Sequence, residues 1–282
     1  MIDAVFPCRS GVGRARATLC GVLAALALVG MALVGMAVPV PVRAGLLDDA
    51  SERYRPFMIK DIDQALAGAR ELRERIVVHD LAGAQKAWIE SRVGWERSEV
   101  FTSGFVPQLD DAIDAWPDAT KGFHGIEAKL FGGAGSSDVQ DEVDALILHL
   151  ADLDQQIRTI KLTAQGLLNG VTRLAYEVGE GKADGGESRF SGTSLNDMRN
   201  NVDGIELAYR TLFAAPLETS DSKLANRTRD DIDRLKTVLA VRDLKHVDPD
   251  ALRKASEYLV ISFQAVGPKI GLSAPTLEEA AK

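Results

Sequence analysis

The clearest structural pattern in this chain is the stretch Asp138–Ile160, DVQDEVDALILHLADLDQQIRTI. Its apolar side chains recur with the spacing of one helical face, at Val143, Leu146, Ile147, Leu150, Leu153 and Ile157. Acidic and amide side chains occupy the opposite face. Such a helix has to bury its apolar face against other helices, so the stretch predicts a helical bundle.

Most of the remaining chain has the same helical character. Proline is scarce beyond residue 44, and the alternation typical of strands is nearly absent. Thr193 or Ser194 can cap a helix that reaches about Ala214, where Pro216 is expected to end it, because proline cannot continue a helix. Other helices are expected at about residues 59–78, 81–101, 109–116, 119–132, 163–178, 221–242 and 249–266. The sequence therefore predicts an all-α fold of one or two helical bundles.

A short internal echo links the two parts of the chain. Residues His124-Gly125-Ile126-Glu127 share three positions with Asp203-Gly204-Ile205-Glu206, and a similar apolar stretch follows each. Duplication of one bundle explains this echo, and chance explains it equally well.

The first 44 residues have the pattern of a secretory signal peptide. A segment with three arginines precedes an uncharged run over residues 17–42, and Val42-Arg43-Ala44 fits a small-x-small cleavage site. The run is long enough to span a bilayer as an uncleaved anchor. Pro39 and Pro41 break it just before the cleavage site, which favours cleavage after residue 44 and export of the rest.

Both cysteines, Cys8 and Cys20, lie in this leader. Cys20 is not expected to carry a lipid, because Ala17-Thr18-Leu19 is a poor lipobox and the hydrophobic run follows it. The rest of the chain therefore has neither disulfides nor thiolate metal ligands. A metal site there has to use Asp, Glu and His.

The chain is acidic, with 33 Lys and Arg residues against 41 Asp and Glu residues and a formal net charge of −8. The leader holds four of the arginines and one of the aspartates, so the remainder carries about −11. This charge argues against nucleic acid and other polyanions as partners and favours cations.

Two short motifs carry metal-capable side chains three residues apart. Glu96 and Glu99 form one pair, and His124 and Glu127 form the other. Positions i and i+3 of a helix lie on one face, so each pair can direct two ligands at one point. Two such helices face to face would make a carboxylate-rich site with one imidazole, as in bundle proteins that bind iron or manganese.

Each pair also has an ordinary interpretation. His124 and Glu127 can form an ion pair on the surface of a helix. Glu96 and Glu99 repel each other on one face and need a cation, either Arg92 one turn earlier or a metal ion. Motifs of common enzymes are absent from the sequence: it has no Gly-x-Ser-x-Gly elbow, phosphate-binding loop, dinucleotide fingerprint or His-Glu-x-x-His helix.

Three segments, in order along the chain, resemble the imelysin-like domain of the EfeM/EfeO proteins. The segments are Trp95-Glu96-x-x-Glu99, Gly122-Phe123-His124-x-x-Glu127 and Gly186-Glu187-Ser188-Arg189-Phe190-Ser191. The resemblance covers about Tyr54 to the last helix. It implies an all-helical domain over residues 45–282, built of two packed four-helix bundles with halves at roughly 45–162 and 163–282.

The resemblance also implies a set of metal ligands near the junction of the bundles. In chain order these are Glu96, Glu99, Asp114, His124, Glu127 and Glu187. A one-residue gap in the match around Asp114 leaves Asp110 and Asp111 as alternatives. Without the resemblance, Glu187 would be interpreted as a solvated carboxylate in a glycine-rich loop.

For function, the resemblance implies a periplasmic protein of a bacterial iron-uptake system. Such a protein binds Fe²⁺ or Fe³⁺ and delivers it to an inner-membrane iron permease, with a periplasmic haem peroxidase as a further partner. Zinc, copper and manganese are the other candidate ions. Longer family members carry an N-terminal cupredoxin domain; here the leader runs directly into the helical region, so the chain resembles the short, EfeM-type form.

Two other classes of function stay open on the sequence. The same residues would serve a metal-dependent peptidase or a carboxylate-bridged oxidase, and the domain is traditionally grouped with peptidases. Alternatively, the chain binds haem or a polysaccharide and the acidic residues are structural. A carrier is favoured, because six candidate ligands exceed those of a catalytic zinc site and no spare histidine is available as a general base. Its metal affinity is expected to fall as the pH drops through about 6 to 4.

Overall fold

The computed structural model describes residues 40–114, 121–133, 139–182, 187–275 and 277. Every regular element among these residues is helical, which confirms the predicted all-α fold. Within the same residues, no helix is long and apolar enough to cross a membrane. Most of the predicted signal peptide, residues 1–39, lies outside the described part of the chain.

Ten α-helices follow one another along the described residues. They are α1 Val40–Val77, α2 Leu81–Phe105, α3 Pro107–Asp114, α4 Gly122–Phe131, α5 Gln140–Ile157, α6 Ala164–Glu180, α7 Ser194–Ala208, α8 Ala214–Ser220, α9 Ser222–Leu239 and α10 Pro249–Ile270. Four of them start at a side chain that accepts hydrogen bonds from the first turn: Asp80, Thr163, Asp221 and Asp248.

The helices pack as two four-helix bundles. Helices α1, α2, α4 and α5 form the first bundle, with α3 against α2, α4 and α5, and helices α6, α7, α9 and α10 form the second. Helix α2 also contacts α6 and α7, so it belongs to both cores. The apolar stripe of α5 is buried as its spacing predicts. The division near residue 162 stays a prediction.

Helix α2 lies so close to α1 and α6 that backbone atoms of the helices are in contact. Each of these contacts is made at a glycine. A Cβ atom on Gly170 of α6 would lie 1.7 Å from the carbonyl oxygen of Val100. On the other side, a Cβ atom on Gly94 would lie 2.1 Å from the carbonyl oxygen of Asp61 in α1. Only glycine permits these approaches, and they fix α2 between the bundles.

The prediction that Pro216 ends a helix is wrong. Helix α7 continues through the π-helical turn Tyr209–Phe213 into α8, which contains Pro216 and ends at Ser220. In a regular α-helix the proline ring clashes with the carbonyl group four residues earlier. The wider π-helical turn lies just before Pro216 and changes that spacing, so the helix continues past the proline.

Helix α1 is already present at Val40, the first described residue, whereas the sequence predicts a helix from about Ile59. Its extra turns bury apolar side chains at the spacing of one helical face: Leu47, Ala50, Tyr54 and Met58. This stripe continues the apolar face of the rest of α1. Tertiary packing therefore extends the helix towards the leader.

We expect Gly170→Ala to lower the free energy of unfolding by about 1–3 kcal/mol, because α2 and α6 would have to separate to admit the methyl group. Gly104→Ala is the matched control. It lies on an exposed position of α2 with no atom within 4 Å of the added Cβ, so it should stabilise the protein by about 0.5–1 kcal/mol. Urea denaturation of both variants tests this difference, and equal stabilities would contradict it.

Candidate metal centre

Polar side chains buried between the two bundles form one connected group, which we call the acidic cluster. Its members come from helices α2, α3, α4 and α7, from the residues just beyond α6, and from the turn at residues 187–191. Its members are Arg92, Glu96, Glu99, Asp114, His124, Glu127, Lys182, Glu187, Asp197 and Asn201. Each side chain is at most about a tenth exposed, so every charge in the cluster needs a partner.

Arg92 is the central cation of the acidic cluster. Its guanidinium binds Glu96 one turn later on α2. The Nη1 atom donates to Asp114 Oδ1 at 2.8 Å, and Nη2 donates to Glu187 Oε1 at 3.2 Å. The Nε atom lies 3.7 Å from Asp197 Oδ1. Arg92, one of the two compensating cations that the sequence left open, is therefore paired with Glu96 of the acidic pair.

Aromatic side chains enclose this guanidinium. The ring centroids of Trp88 and Phe123 lie 5.4 and 5.5 Å from its carbon atom. Trp88 Nε1 donates to the carbonyl oxygen of Phe123 at 3.0 Å, and Trp95 Nε1 donates to Asp114 Oδ2 at 2.7 Å. The rings exclude water from the ion pairs, which strengthens them.

Lys182, just beyond α6, is the second buried cation. Its Nζ atom lies 2.8 Å from Glu187 Oε1, 3.1 Å from Glu96 Oε2 and 3.1 Å from Glu99 Oε2. Asn201 of α7 donates to the same oxygens of Glu96 and Glu99, at 2.8 and 2.6 Å. Burial alone would lower the pKa of Lys182, but these carboxylates raise it well above its ordinary value.

His124 lies at the other end of the cluster, between two carboxylates. Its Nε2 atom is 3.1 Å from Asp114 Oδ1, and its Nδ1 atom is 3.6 Å from Glu127 Oε2. Burial alone would lower the pKa of His124, but the charge and hydrogen bond of Asp114 outweigh burial and raise it to about 9. Burial acts to raise the pKa of Asp114, yet the charges of Arg92 and His124 hold it well below its usual range.

The remaining carboxyl groups respond differently to burial. Burial raises the pKa of Glu187 to about 8 and that of Asp197 to about 6. Burial and the charge of Glu96 together raise the pKa of Glu99 well above its ordinary value. Burial also acts to raise the pKa of Glu96, but the charge of Arg92 outweighs it and the pKa is lowered. At neutral pH the cluster therefore holds protons on some of its carboxyl groups.

Glu127 fixes the turn that carries Glu187. Its Oε1 atom accepts hydrogen bonds from the backbone N–H groups of Phe190 and Ser191, at 3.1 and 2.8 Å. It also accepts one from the hydroxyl group of Ser191 at 2.7 Å. Burial acts to raise the pKa of Glu127, but these bonds and His124 lower it, so Glu127 stays ionised. The turn is thereby attached to α4.

Two groups of three side chains can each place one ligand atom within 4.8 Å of the others. The groups are Asp114, His124 and Glu187, and Glu96, Glu99 and Glu187. Glu187 is common to both, and its Oε2 atom is buried without a hydrogen bond from any described residue. The structure thus brings five of the six sequence-predicted ligands into these groups. The sixth, Glu127, lies beside His124 and binds the turn instead.

Other sequence candidates lie outside these groups. Asp111 is exposed and pairs with Lys121 at 2.7 Å. Asp110 lies near Arg173, and burial raises its pKa to about 6. Of the three aspartates, Asp114 is therefore the one in the cluster. Metal ligation itself stays a prediction.

The internal echo does not repeat the cluster. Asp203 and Glu206 of α7 pair with Lys236, at 3.4 and 2.6 Å from its Nζ atom. All three side chains are more than a quarter exposed, so this is a surface ion-pair network. The echo therefore supplies no second candidate site.

Sequence reasoning missed three members of the cluster, Lys182, Asp197 and Asn201. Lys182 lies in a glycine-rich stretch that has the composition of a solvated loop. Asp197 lies in the first turn of α7, where an acidic residue has the ordinary role of stabilising the helix start. Asn201 could have been found from the sequence, because it interrupts the apolar face of α7 next to Val202. A polar residue on such a face needs a buried hydrogen-bond partner.

Fold and site together define a class of protein: an all-α double bundle with a buried cluster of carboxylates, two cations and one histidine between the bundles. The chain belongs to the Imelysin family, whose model matches residues 50–121 and 118–261. This match and the relatives below confirm the resemblance to the imelysin-like EfeM/EfeO proteins.

Named relatives cover most of the chain. It is 27% identical over 220 residues to an EfeM/EfeO family lipoprotein of Staphylococcus haemolyticus, which covers 74% of this chain and 75% of the relative. A Staphylococcus aureus protein of the same description is 28% identical over 203 residues, 68% of this chain and 71% of the relative. The crystal structure of an iron-regulated protein A precursor from Parabacteroides distasonis has the same fold, with a TM-score of 0.61 and 18% identity over 81% of this chain and 94% of that chain.

We expect Arg92→Met to lower the free energy of unfolding at pH 7 by about 3–5 kcal/mol, because it leaves buried carboxylates without a counter-charge. The loss should shrink at pH 5, because Asp197, with a pKa of about 6, then takes up a proton and loses its charge. Arg253→Met is the control. Arg253 is half exposed and pairs with Glu180 and Asp250, so its loss should cost at most about 1 kcal/mol. Equal losses for the two variants in chemical denaturation would contradict the central role of Arg92.

Proposed function

We propose that this chain is an iron-binding protein outside the cytoplasm, part of a bacterial iron-uptake system, and that it delivers Fe ions to an inner-membrane permease. The observation that carries the proposal is the pair of ligand groups that share Glu187 inside the acidic cluster. The relatives' names support it: one describes an iron-regulated protein, and the others describe EfeM/EfeO family lipoproteins. The lipoprotein name supports the location, and a haem peroxidase of the same system is a further proposed partner.

The donor set suits iron. Four carboxyl groups and one imidazole supply hard oxygen ligands and one nitrogen ligand. Both cysteines lie in the leader, so no thiolate is available to favour soft ions. Manganese fits the same donors, and zinc and copper are weaker candidates because their common protein sites use more histidine or cysteine.

Binding and release of the ion are coupled to protons. In the metal-free protein at neutral pH, protons on His124 and Glu187, whose pKa values are about 9 and about 8, offset part of the buried negative charge. Ligands have to lose these protons before they coordinate a metal ion. A carrier gains reversibility from this exchange, because the protons can return when the ion leaves.

We expect iron affinity to fall as the pH drops from about 9 to about 6. The sign follows from the raised pKa values of His124, about 9, and Glu187, about 8, since each group has to give up a proton to bind. This window lies above the range of about 6 to 4 that unperturbed carboxyl and imidazole groups predict. Titration calorimetry in buffers of different ionisation enthalpy counts the protons released. No proton release at pH 7 would contradict the expectation.

We expect His124→Ala and Glu187→Gln each to weaken iron binding by about 100-fold or more, because each removes a donor from a ligand group. Glu127→Ala should have a similar effect by releasing the turn that carries Glu187. Asp111→Asn is the matched control, since it removes an exposed carboxylate that lies outside both ligand groups. Calorimetry and growth of a strain that depends on the protein under iron limitation measure the effect.

A peptidase built on the same residues is the second candidate, because the matching family carries a peptidase designation. Hydrolysis requires a metal ion with an open position, a bound water and a general base. The carrier proposal therefore expects no proteolysis by the purified wild-type protein. Metal-dependent cleavage of a protein substrate that is lost in Glu127→Ala would overturn the carrier in favour of the enzyme.

A further inference from the structure

The two buried cations of the acidic cluster are held in different ways. Arg92 lies in the middle of α2, has no exposed surface, and is enclosed by the rings of Trp88 and Phe123. Lys182 lies beyond the last residue of α6, and its side chain is 8% exposed. Arg92 cannot leave the cluster without unpacking α2. Lys182 has a flexible four-carbon stem and lies at a helix end rather than inside a packed helix.

Lys182 occupies the position of a metal ion in one of the two ligand groups. Its Nζ atom lies 2.8–3.1 Å from oxygens of Glu96, Glu99 and Glu187, the three members of that group. A metal ion bound to the same oxygens would lie about 2.0–2.3 Å from each of them. The ion and the ammonium group would then overlap in space, and their like charges would repel each other. Both cannot be bound to this group at once.

We propose that Lys182 is a built-in competitor for this group, which rests on the proposed function because it concerns the same carboxyl groups. In the metal-free protein the ammonium group contacts Glu96, Glu99 and Glu187 and holds them together. A metal ion that binds there displaces Lys182 from the cluster. The lysine thereby lowers the affinity of this group for metal ions. It also selects against monovalent cations, because their single charge gives no advantage over an ammonium group that is tethered in place.

The surface beside Lys182 can receive the displaced ammonium group. Glu177 lies one turn earlier on α6, and its carbonyl oxygen accepts the backbone N–H of Lys182 at 3.0 Å. Its side chain is one-third exposed and pairs with Arg173 at 2.7 Å. A carboxylate at this place offers Lys182 a charged partner next to solvent. Displacement therefore does not leave the ammonium group buried without a counter-charge.

Amine labelling of the wild-type protein tests the displacement directly. The exported protein is treated with an acetylating reagent under anaerobic conditions, with and without saturating Fe²⁺ added as ferrous chloride, and acetylation is measured by mass spectrometry. We expect Lys182 to react about tenfold faster or more when Fe²⁺ is bound, because the free amine becomes accessible. Lys236, which pairs with Glu206 at the surface, should react equally in both states. Protection of Lys182 in the iron-saturated protein would overturn the proposal.

Variants of Lys182 provide an independent measurement. Lys182→Met keeps the apolar stem and removes the charge, so Fe²⁺ should bind about tenfold tighter or more. Lys182→Arg keeps the charge and should bind no tighter than the wild type, and Lys236→Met should bind like the wild type. The thermal shift that Fe²⁺ produces should also be larger for Lys182→Met, because its metal-free form lacks a counter-charge.

The outcomes separate this inference from the function on which it rests. If neither the wild type nor Lys182→Met binds Fe²⁺, the proposed iron carrier is wrong and the competitor proposal is overturned with it. If the wild type binds Fe²⁺ and Lys182→Met binds it equally or more weakly, only the competitor proposal is overturned.

Discussion

The structure depends on the neutralisation of negative charge buried between its two bundles. An ionised carboxylate in such a place costs several kcal/mol unless cations and hydrogen bonds compensate it. Arg92 provides this compensation for groups on α2, α3, α7 and the turn at residues 187–191. Because this one guanidinium bonds to elements that are far apart in the sequence, it stabilises the packing of the two bundles against each other. The close approach of α2 at Gly94 and Gly170 places the guanidinium where it can reach all of them.

The cluster is only partly neutralised by its own cations. Six carboxyl groups face Arg92, Lys182 and one histidine: Glu96, Glu99, Asp114, Glu127, Glu187 and Asp197. Protons make up much of the difference, as the raised pKa values of Glu99 and Glu187 indicate. A multiply charged metal ion can take the place of those protons. A shortage of fixed positive charge is the electrostatic condition under which such a buried cluster can accept a cation.

The fold and part of the site could be predicted from sequence because both follow from local spacing. The stripe of α5 and the pair Glu96 and Glu99 are visible at intervals of three and four residues. The place of Lys182 in the cluster could not be predicted, because it depends on contacts with Glu96 and Glu99 of α2, which is remote in sequence. Pro216 was misleading, because a π-helical turn overrides its usual effect. Glu187 was found only through resemblance, since a single acidic residue in a glycine-rich loop has no periodicity to interpret.

The two residues of the His-x-x-Glu motif have different roles in the structure. His124 lies in a ligand group, whereas Glu127 lies outside both groups and accepts three hydrogen bonds from the turn at residues 187–191. That turn carries Glu187, which both groups share and which does not itself lie on a helix. The spacing of three residues on α4 therefore joins a candidate ligand to the residue that positions another one. A carboxylate serves this purpose better than an amide, because a charged acceptor binds backbone N–H groups more strongly.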